Sequence, residues 1–124
     1  MKKWIRFTVD GMLSYCATLQ EYPLAEKISG LCPFTAEFTR SGEHEYYAML
    51  PQKVIAGDCP PTTTGHRNGL YYFEGWNALS LVFHDCDTAP YKIHHIGDFE
   101  DDMAAVIENM GRSIHISCNV EGGT

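Results

Sequence analysis

The chain has 124 residues, 44% of them hydrophobic, and a formal net charge of −7 at pH 7. This length suits one domain spanning residues 1–124, and the apolar content excludes an intrinsically disordered chain. The excess of acidic residues argues against nucleic acid as a ligand, because phosphate contacts require a basic surface.

The first half of the chain predicts two β-hairpins with a short helix between them. Apolar and polar side chains alternate from Trp4 to Val9, and Asp10-Gly11 is a typical hairpin turn. Pro23 suits the first position of a helix, and Gly30 suits its end. The predicted elements are strands at 4–9 and 12–19, a helix at 22–28, and strands at 34–39 and 45–50.

The second half predicts a long loop followed by four strands and a helix. Residues 51–68 include the pair Pro60-Pro61, which predicts irregular structure, and a loop of this length in a small domain is often functional. Asp98 is predicted to cap a helix that has Met103 and Ile107 on its apolar face and ends at Gly111. Strands are expected at 69–74, 78–84, 91–97 and 113–117.

About eight strands and two short helices indicate a mainly β fold. A closed β-barrel with helices at its ends fits best, because closure removes the exposed edges of an open sheet. Several segments resemble the bacterial cyclophilin-like proteins, namely the N-terminal hairpin with its proline-containing helix, YAMLP at 47–51, GLYY at 69–72, NALSLVF at 77–83 and HIG at 95–97. This resemblance covers nearly the whole chain and implies an eight-stranded barrel capped by two helices.

The same resemblance raises the question of catalysis. True cyclophilins isomerise X-Pro bonds and use an arginine whose planar fork holds the substrate backbone. The similar segment here, at 51–55, has Lys53 in place of that arginine, and a lysine cannot reproduce the fork geometry. Lys53 and Phe83 are therefore candidates for a remnant groove, although the apolar run around Phe83 favours core packing. Divergent peptidyl-prolyl isomerase activity is an alternative to a non-catalytic protein.

The cysteines and the N-terminus indicate a cytoplasmic protein. The five cysteines include no CxxC pair, which favours reduced thiols over a disulfide framework or a zinc ribbon. The residues after Lys2 and Lys3 form no apolar signal region. No run approaches the roughly 20 apolar residues that a membrane helix needs.

The histidines do not indicate a metal site in the sequence. His94 and His95 are adjacent in a predicted strand, so their side chains point to opposite faces. A zinc site would need one of them together with His115 and a cysteine, and structural or surface histidines are favoured instead. The triplet at 84–86, His-Asp-Cys, fits a turn better than a Cys/His nucleophile. We therefore expect neither a metal nor a cofactor.

Negative charge is concentrated in one part of the chain. Residues 74–102 contain seven acidic residues against the single base Lys92, and so account for six of the seven net negative charges. This pattern fits either a solvated acidic face or a surface that steers a basic protein partner into place. Trp76 fits either a contact anchor or a cover for one end of the barrel. The candidate partner-binding residues are Glu74, Trp76, Asp85, Asp87, Asp98, Glu100, Asp101 and Asp102.

These observations favour a binding protein without catalysis of its own. A concrete version is an inhibitor or immunity protein of a toxin nuclease, because a nuclease must present positive charge to its substrate. Besides the divergent isomerase, a small-molecule-binding barrel is an alternative, in which residues 51–68 cover an apolar groove near Phe83.

Overall fold

The computed structural model describes residues 3–122, and the elements in this range follow the predicted order closely. They are β1 (Lys3–Val9), β2 (Leu13–Leu19), α1 (Pro23–Ser29), β3 (Phe34–Ser41), β4 (Glu45–Met49), β5 (Pro61–Thr62), β6 (Thr64–Gly65), β7 (Gly69–Phe73), β8 (Ala78–Val82), β9 (Cys86–Asp87), β10 (Ile93–Phe99), α2 (Met103–Ile107) and β11 (Ser113–Gly122). A single 3-10 turn, Glu74–Trp76, connects β7 to β8. All four hairpin and sheet strands predicted before residue 51 are confirmed.

Eight of these strands close into an antiparallel barrel. Its strand order is β2, β1, β11, β3, β4, β8, β7 and β10, and the pairing of β10 with β2 completes the ring. The short strand β5 extends the pairing of β10, and β6 pairs with β9 outside the barrel. The predicted mainly β barrel with two helices is therefore confirmed.

Alternating side chains place the core inside this ring. On β1, Ile5, Phe7 and Val9 are buried, whereas the residues between them are partly exposed. Leu24 and Ile28 of α1 are also fully buried in the same core. Complete burial of such side chains stabilises the fold by about 1.5–3 kcal/mol each. Among residues 3–122, neither helix has the length or the apolar character that a membrane crossing requires.

The start of α2 differs from the prediction. Asp98 was expected as its cap, but β10 continues to Phe99 because Asp98 and Phe99 pair with Thr18 and Ala17 of β2. The helix begins four residues later, where the Asp102 side chain accepts a hydrogen bond from the Ala105 amide. It also ends at Ile107, before Gly111. The prediction failed because strand pairing across the barrel overrides the local preference of Asp98 for a cap.

Of the loop predicted at 51–68, residues 51–60 have no regular structure, as predicted, whereas residues 61–68 contain the short strands β5 and β6. The 51–60 loop is anchored in the core. Val54 is buried, and its amide donates to the Asn77 side chain at 3.0 Å. The buried Tyr72 hydroxyl contacts both the Val54 carbonyl and the Asn77 side chain. Asn77 has φ of 51°, which asparagine tolerates better than most residues. This part of the loop is therefore fastened to the β7–β8 connection.

The five cysteines are free thiols, in agreement with the prediction from the sequence. Burial raises the pKa of Cys32 to about 11 and raises that of Cys118 further still. Both side chains are consequently protonated at neutral pH, which makes them poor nucleophiles.

Candidate functional site

Two histidines and an aspartate meet on the outside of the barrel, and a β-bulge brings them together. Between His95 and Gly97 the register of β10 against β7 shifts by one residue, and the intervening Ile96 is buried. A bulge of this kind re-aims the side chains that follow it. His95 and Asp98 therefore share one side of β10, where His66 reaches them from the turn before β7.

We refer to His66, His95 and Asp98 as the His–Asp cluster. Both imidazoles contact the same carboxylate oxygen of Asp98. The distance from His66 Nε2 to Asp98 Oδ1 is 2.6 Å, and that from His95 Nε2 to the same oxygen is 2.9 Å. The two ring centroids are 4.9 Å apart. The side chains are between one quarter and one half exposed, so the cluster is accessible from solvent.

The second ring nitrogen of each histidine, Nδ1, also has a hydrogen-bonding partner. The Tyr71 hydroxyl lies 2.8 Å from His66 Nδ1, and the Gln20 amide nitrogen lies 3.2 Å from His95 Nδ1. Burial raises the pKa of Tyr71, so this residue is a neutral hydroxyl. If both partners donate to Nδ1, each Nε2 carries the proton that it donates to Asp98. A groove of about 570 Å³ opens beside the cluster, lined by Thr18, Leu19, Gln20, Glu21, Tyr22 and Asp98.

The turn at 66–68 also gathers carboxylates from three other segments. Arg67 donates from its side chain to Asp102 and to Glu108, both at 3.2 Å, and from its backbone amide to Asp85 at 2.8 Å. Asn68 donates to Asp102 at 2.9 Å. Hydrogen bonds from Asn68 and Arg67 hold the pKa of Asp102 below its usual value. These carboxylates, together with Asp98, surround one turn.

Glu100 and Asp101 extend this set along the end of β10. The Glu100 carboxylate accepts hydrogen bonds from Thr18 at 3.0 Å and from the Trp4 indole at 3.1 Å. The pKa of the nearby Cys16 thiol is raised, mainly by burial. The carboxylates of Glu121, Glu100 and Asp101 contribute to this increase, whereas Arg6 opposes it. We use the term acidic face for Asp85, Asp98, Glu100, Asp101, Asp102 and Glu108.

Glu74 and Asp87, which were predicted together with these acids, make other contacts. The Glu74 carboxylate accepts from the Ala56 amide at 2.8 Å and so holds the 51–60 loop. Asp87 accepts from the Ala89 amide at 3.0 Å, within its own turn. Both carboxylates accept hydrogen bonds from backbone amides, and neither contacts the turn at 66–68. The structure thus divides the predicted set: Asp85, Asp98 and Asp102 bond to the turn at 66–68, Glu100 and Asp101 lie between Asp98 and Asp102 in the chain, and Glu74 and Asp87 contact other segments.

Trp76 lies in a separate aromatic cleft, lined by Glu45, Tyr47, Phe73, Trp76, Ser80 and Tyr91 and about 380 Å³ in volume. The Trp76 side chain is prominent there, since the residue is 54% exposed. Its ring stacks on Phe73 at 5.8 Å and meets the edge of Tyr47 at 5.9 Å. The Glu45 carboxylate, which accepts a hydrogen bond from Ser80, supplies a negative charge at the wall.

The two residues predicted for a remnant groove lie apart from each other. Phe83 is 2% exposed and packs in the core beside Tyr46, beneath the Arg40 guanidinium at 4.6 Å. It directly follows β8, whose residues are all buried, and continues that buried run. Lys53 is exposed and borders a depression with Trp76 and Asn77 that does not include Phe83. Phe83 is therefore a core residue, which corrects its assignment to a groove.

The other histidines make separate contacts. His94 is buried on the opposite face of β10 from His95, and its Nδ1 donates a hydrogen bond to the Cys59 carbonyl at 3.0 Å. His115 lies on β11 with Glu37 at 3.8 Å. The sequence correctly separated His94 from His95, but it missed His66. A histidine in an irregular loop, 29 positions before its partner, leaves no local pattern.

Comparison with known proteins identifies a family and a solved structure of similar fold. The model of the Cyclophilin-like family matches residues 7–119. The solution structure of a hypothetical protein from Archaeoglobus fulgidus is similar, with a TM-score of 0.76 and 14% identity, over 95% of this chain and 94% of that one. Comparison with curated proteins gives no match. Since the family match spans most of the barrel, the chain belongs to the Cyclophilin-like family.

Proposed function

We propose that the protein is a non-catalytic binding module whose acidic face binds a basic protein partner. The observation that carries this proposal is the arrangement around the turn at 66–68, where carboxylates from three segments converge. In the described residues, the Arg67 guanidinium pairs with two of the six carboxylates of the acidic face, those of Asp102 and Glu108, and one positive charge against six negative ones leaves this surface negative.

An electrostatic surface of this kind raises association rates with an oppositely charged partner and discriminates against like-charged ones. A toxin nuclease fits the partner class, because its active site must be basic to hold nucleic acid. The protein would then act as an inhibitor or immunity protein that covers this basic site. The carboxylates of Asp85 and Asp101 are the best candidates for contact, since both residues are exposed.

Charge reversal tests this proposal. We expect Asp85→Lys and Asp101→Lys each to weaken binding of the partner about tenfold at about 0.1 M salt, where the Debye length is about 10 Å. The matched control is Glu37→Lys on β3, which makes the same change in charge on the strand opposite β10 in the ring and should leave binding intact.

The partner is first isolated from lysate of the native host at about 0.1 M and about 1 M salt, then purified and titrated by calorimetry against the four proteins. For the toxin version, the readout is inhibition of nuclease activity by the parent protein and its loss in the Asp101→Lys variant. Failure to recover any basic protein at low salt, or equal loss of binding in all three variants, would contradict the proposal.

The aromatic cleft supports a second candidate function, binding of a small organic cation. Faces of tryptophan and phenylalanine attract a quaternary ammonium group, and the Glu45 carboxylate adds a Coulombic attraction. This site differs from the groove near Phe83 that was expected for a small-molecule barrel, because Phe83 is in the core.

Choline is a suitable probe for the cleft, with 3,3-dimethylbutan-1-ol, in which carbon replaces the charged nitrogen, as a neutral control of the same shape. We expect choline to bind more tightly than the alcohol, and Trp76→Ala or Glu45→Gln to weaken choline binding by about tenfold, in line with a cation–π energy of roughly 0.5–2 kcal/mol. Calorimetry or ligand-observed NMR provides the measurement. Equal affinity for choline and the alcohol would show that the charge is not recognised.

A further inference from the structure

We propose that the His–Asp cluster is a binding site for a divalent transition-metal ion, with zinc as the best fit. The ligand atoms would be His66 Nε2, His95 Nε2 and an oxygen of Asp98, which all lie within 4.8 Å of one another. Two imidazole nitrogens and one carboxylate oxygen are ligands that zinc, cobalt(II) and nickel(II) accept, whereas magnesium and calcium prefer oxygen alone. This inference is independent of the proposed partner.

Convergence on one point is the first argument for the site. Both Nε2 atoms already face Asp98 Oδ1, at 2.6 and 2.9 Å. In a tetrahedral zinc site with bonds of about 2.0–2.1 Å, neighbouring ligand atoms are about 3.3 Å apart. An ion would therefore replace the two hydrogen-bonding protons once the two nitrogen–oxygen distances lengthen from 2.6 and 2.9 Å to about 3.3 Å, a displacement within reach of partly exposed side chains.

The second argument for the site is that the Nδ1 atom of each histidine has a hydrogen-bonding partner. A metal-bound imidazole almost always donates its other N–H to a neighbouring group, which sets its orientation. Here His66 Nδ1 meets the Tyr71 hydroxyl and His95 Nδ1 meets the Gln20 amide. Either group can serve as the acceptor, because a hydroxyl has lone pairs and an amide can present its oxygen after a flip. The shell around the ligands thus suits both the protonated and the metal-bound forms.

The surroundings of the His–Asp cluster leave it accessible to solvent and carry negative charge that favours a cation. His66 and Asp98 have side chains that are 49% and 47% exposed, and the adjacent groove contains Asp98, so a fourth position is open to water. Glu100 follows Asp98 by two residues and belongs to the same acidic face, whose negative potential favours a cation. Three protein ligands with an open fourth position differ from the closed set of four protein ligands found in structural zinc sites.

Titration of the chelator-treated, reduced protein with Zn²⁺ by calorimetry and with Co²⁺ by visible absorption tests the proposal. We expect one ion per chain and, because each histidine is a direct ligand, a loss of affinity of at least about 100-fold in His66→Gln and in His95→Gln. Removal of an outer partner in Tyr71→Phe should cost less, about tenfold. The Co²⁺ absorption bands should be absent from both histidine variants.

The matched control is His115→Gln, which removes an exposed histidine on β11 and should leave the affinity unchanged. Circular dichroism shows whether each variant keeps its fold, and the exposed loop position of His66 makes that variant the safest one. Binding of one ion with parental affinity by both His66→Gln and His95→Gln would assign the metal to other groups, such as the thiols, and overturn the site. Lack of stoichiometric binding by the parent protein would overturn it equally.

Discussion

Replacement of Gly97 with alanine is expected to destabilise the protein by about 3 kcal/mol or more, the upper range for an inserted methyl group. Gly97 pairs with Leu19 at the point where β10 meets β2 and closes the barrel. A Cβ atom at this position would lie 2.6 Å from the Thr18 carbonyl oxygen. This neighbour is backbone, so it cannot move aside without disturbing the strand pairing on which closure depends.

Urea unfolding followed by circular dichroism measures this effect. For an m-value of about 1–3 kcal/mol/M, the midpoint should fall by about 1 M or more. Gly111→Ala is the matched control, because a Cβ atom there meets nothing within 4 Å and no positive φ opposes it. That variant should be as stable as the parent protein or slightly more stable. Equal midpoints for the two variants would mean that β2 and β10 approach less closely than described.

Removal of the Arg40 side chain is expected to cost about 2–4 kcal/mol, from charged hydrogen bonds of about 1.5–3 kcal/mol and a cation–π contact. Its guanidinium donates to the Glu108 carbonyl, just after α2, at 2.8 Å and lies 4.6 Å from the Phe83 ring centroid. It also donates to the Gly42 carbonyl at 3.2 Å. Arg40→Ala would leave a carbonyl at the end of α2 without its donor and uncover the face of Phe83.

The variant Arg40→Lys distinguishes the contribution of the positive charge to stability from that of the guanidinium geometry. A lysine keeps the positive charge but lacks the planar fork that contacts two carbonyls and an aromatic face together, so it should recover at most about half of the loss. Arg112→Ala, at an exposed arginine, is the control and should change the free energy of unfolding by less than about 0.5 kcal/mol. Urea midpoints provide the comparison. Full recovery by lysine would contradict the role of the guanidinium fork.

The structure changes how the acidic residues are understood. In the sequence, Asp98, Glu100, Asp101 and Asp102 form one run at the expected start of a helix. In the fold, Asp102 alone caps α2, while Asp98 is a strand residue that holds two histidines. The run therefore carries at least two separate roles. The proposals of a basic partner and of a metal ion share Asp98, but they are tested separately, the first at Asp85 and Asp101 and the second at His66 and His95.

Much of the barrel could be predicted from the chain because its signals are local. Alternation on β1, the Asp10-Gly11 turn and the helix at Pro23 all rest on residues that are close in sequence. The start of α2 could not be predicted from the same kind of signal. Asp98 and Asp102 are equally suitable caps by residue type, and only the pairing of β10 with β2 determines which of them is used.

By itself the sequence determined a mainly β domain, the position of the long loop, the free thiols and the concentration of acidic charge. The tertiary structure decided that β10 bulges at Ile96, that His66 meets His95 and Asp98, and that Phe83 is buried. The physical reason is that hydrophobic periodicity is encoded within one segment. Strand register and barrel closure depend on contacts between distant segments, and a shift of one residue turns a side chain to the other face.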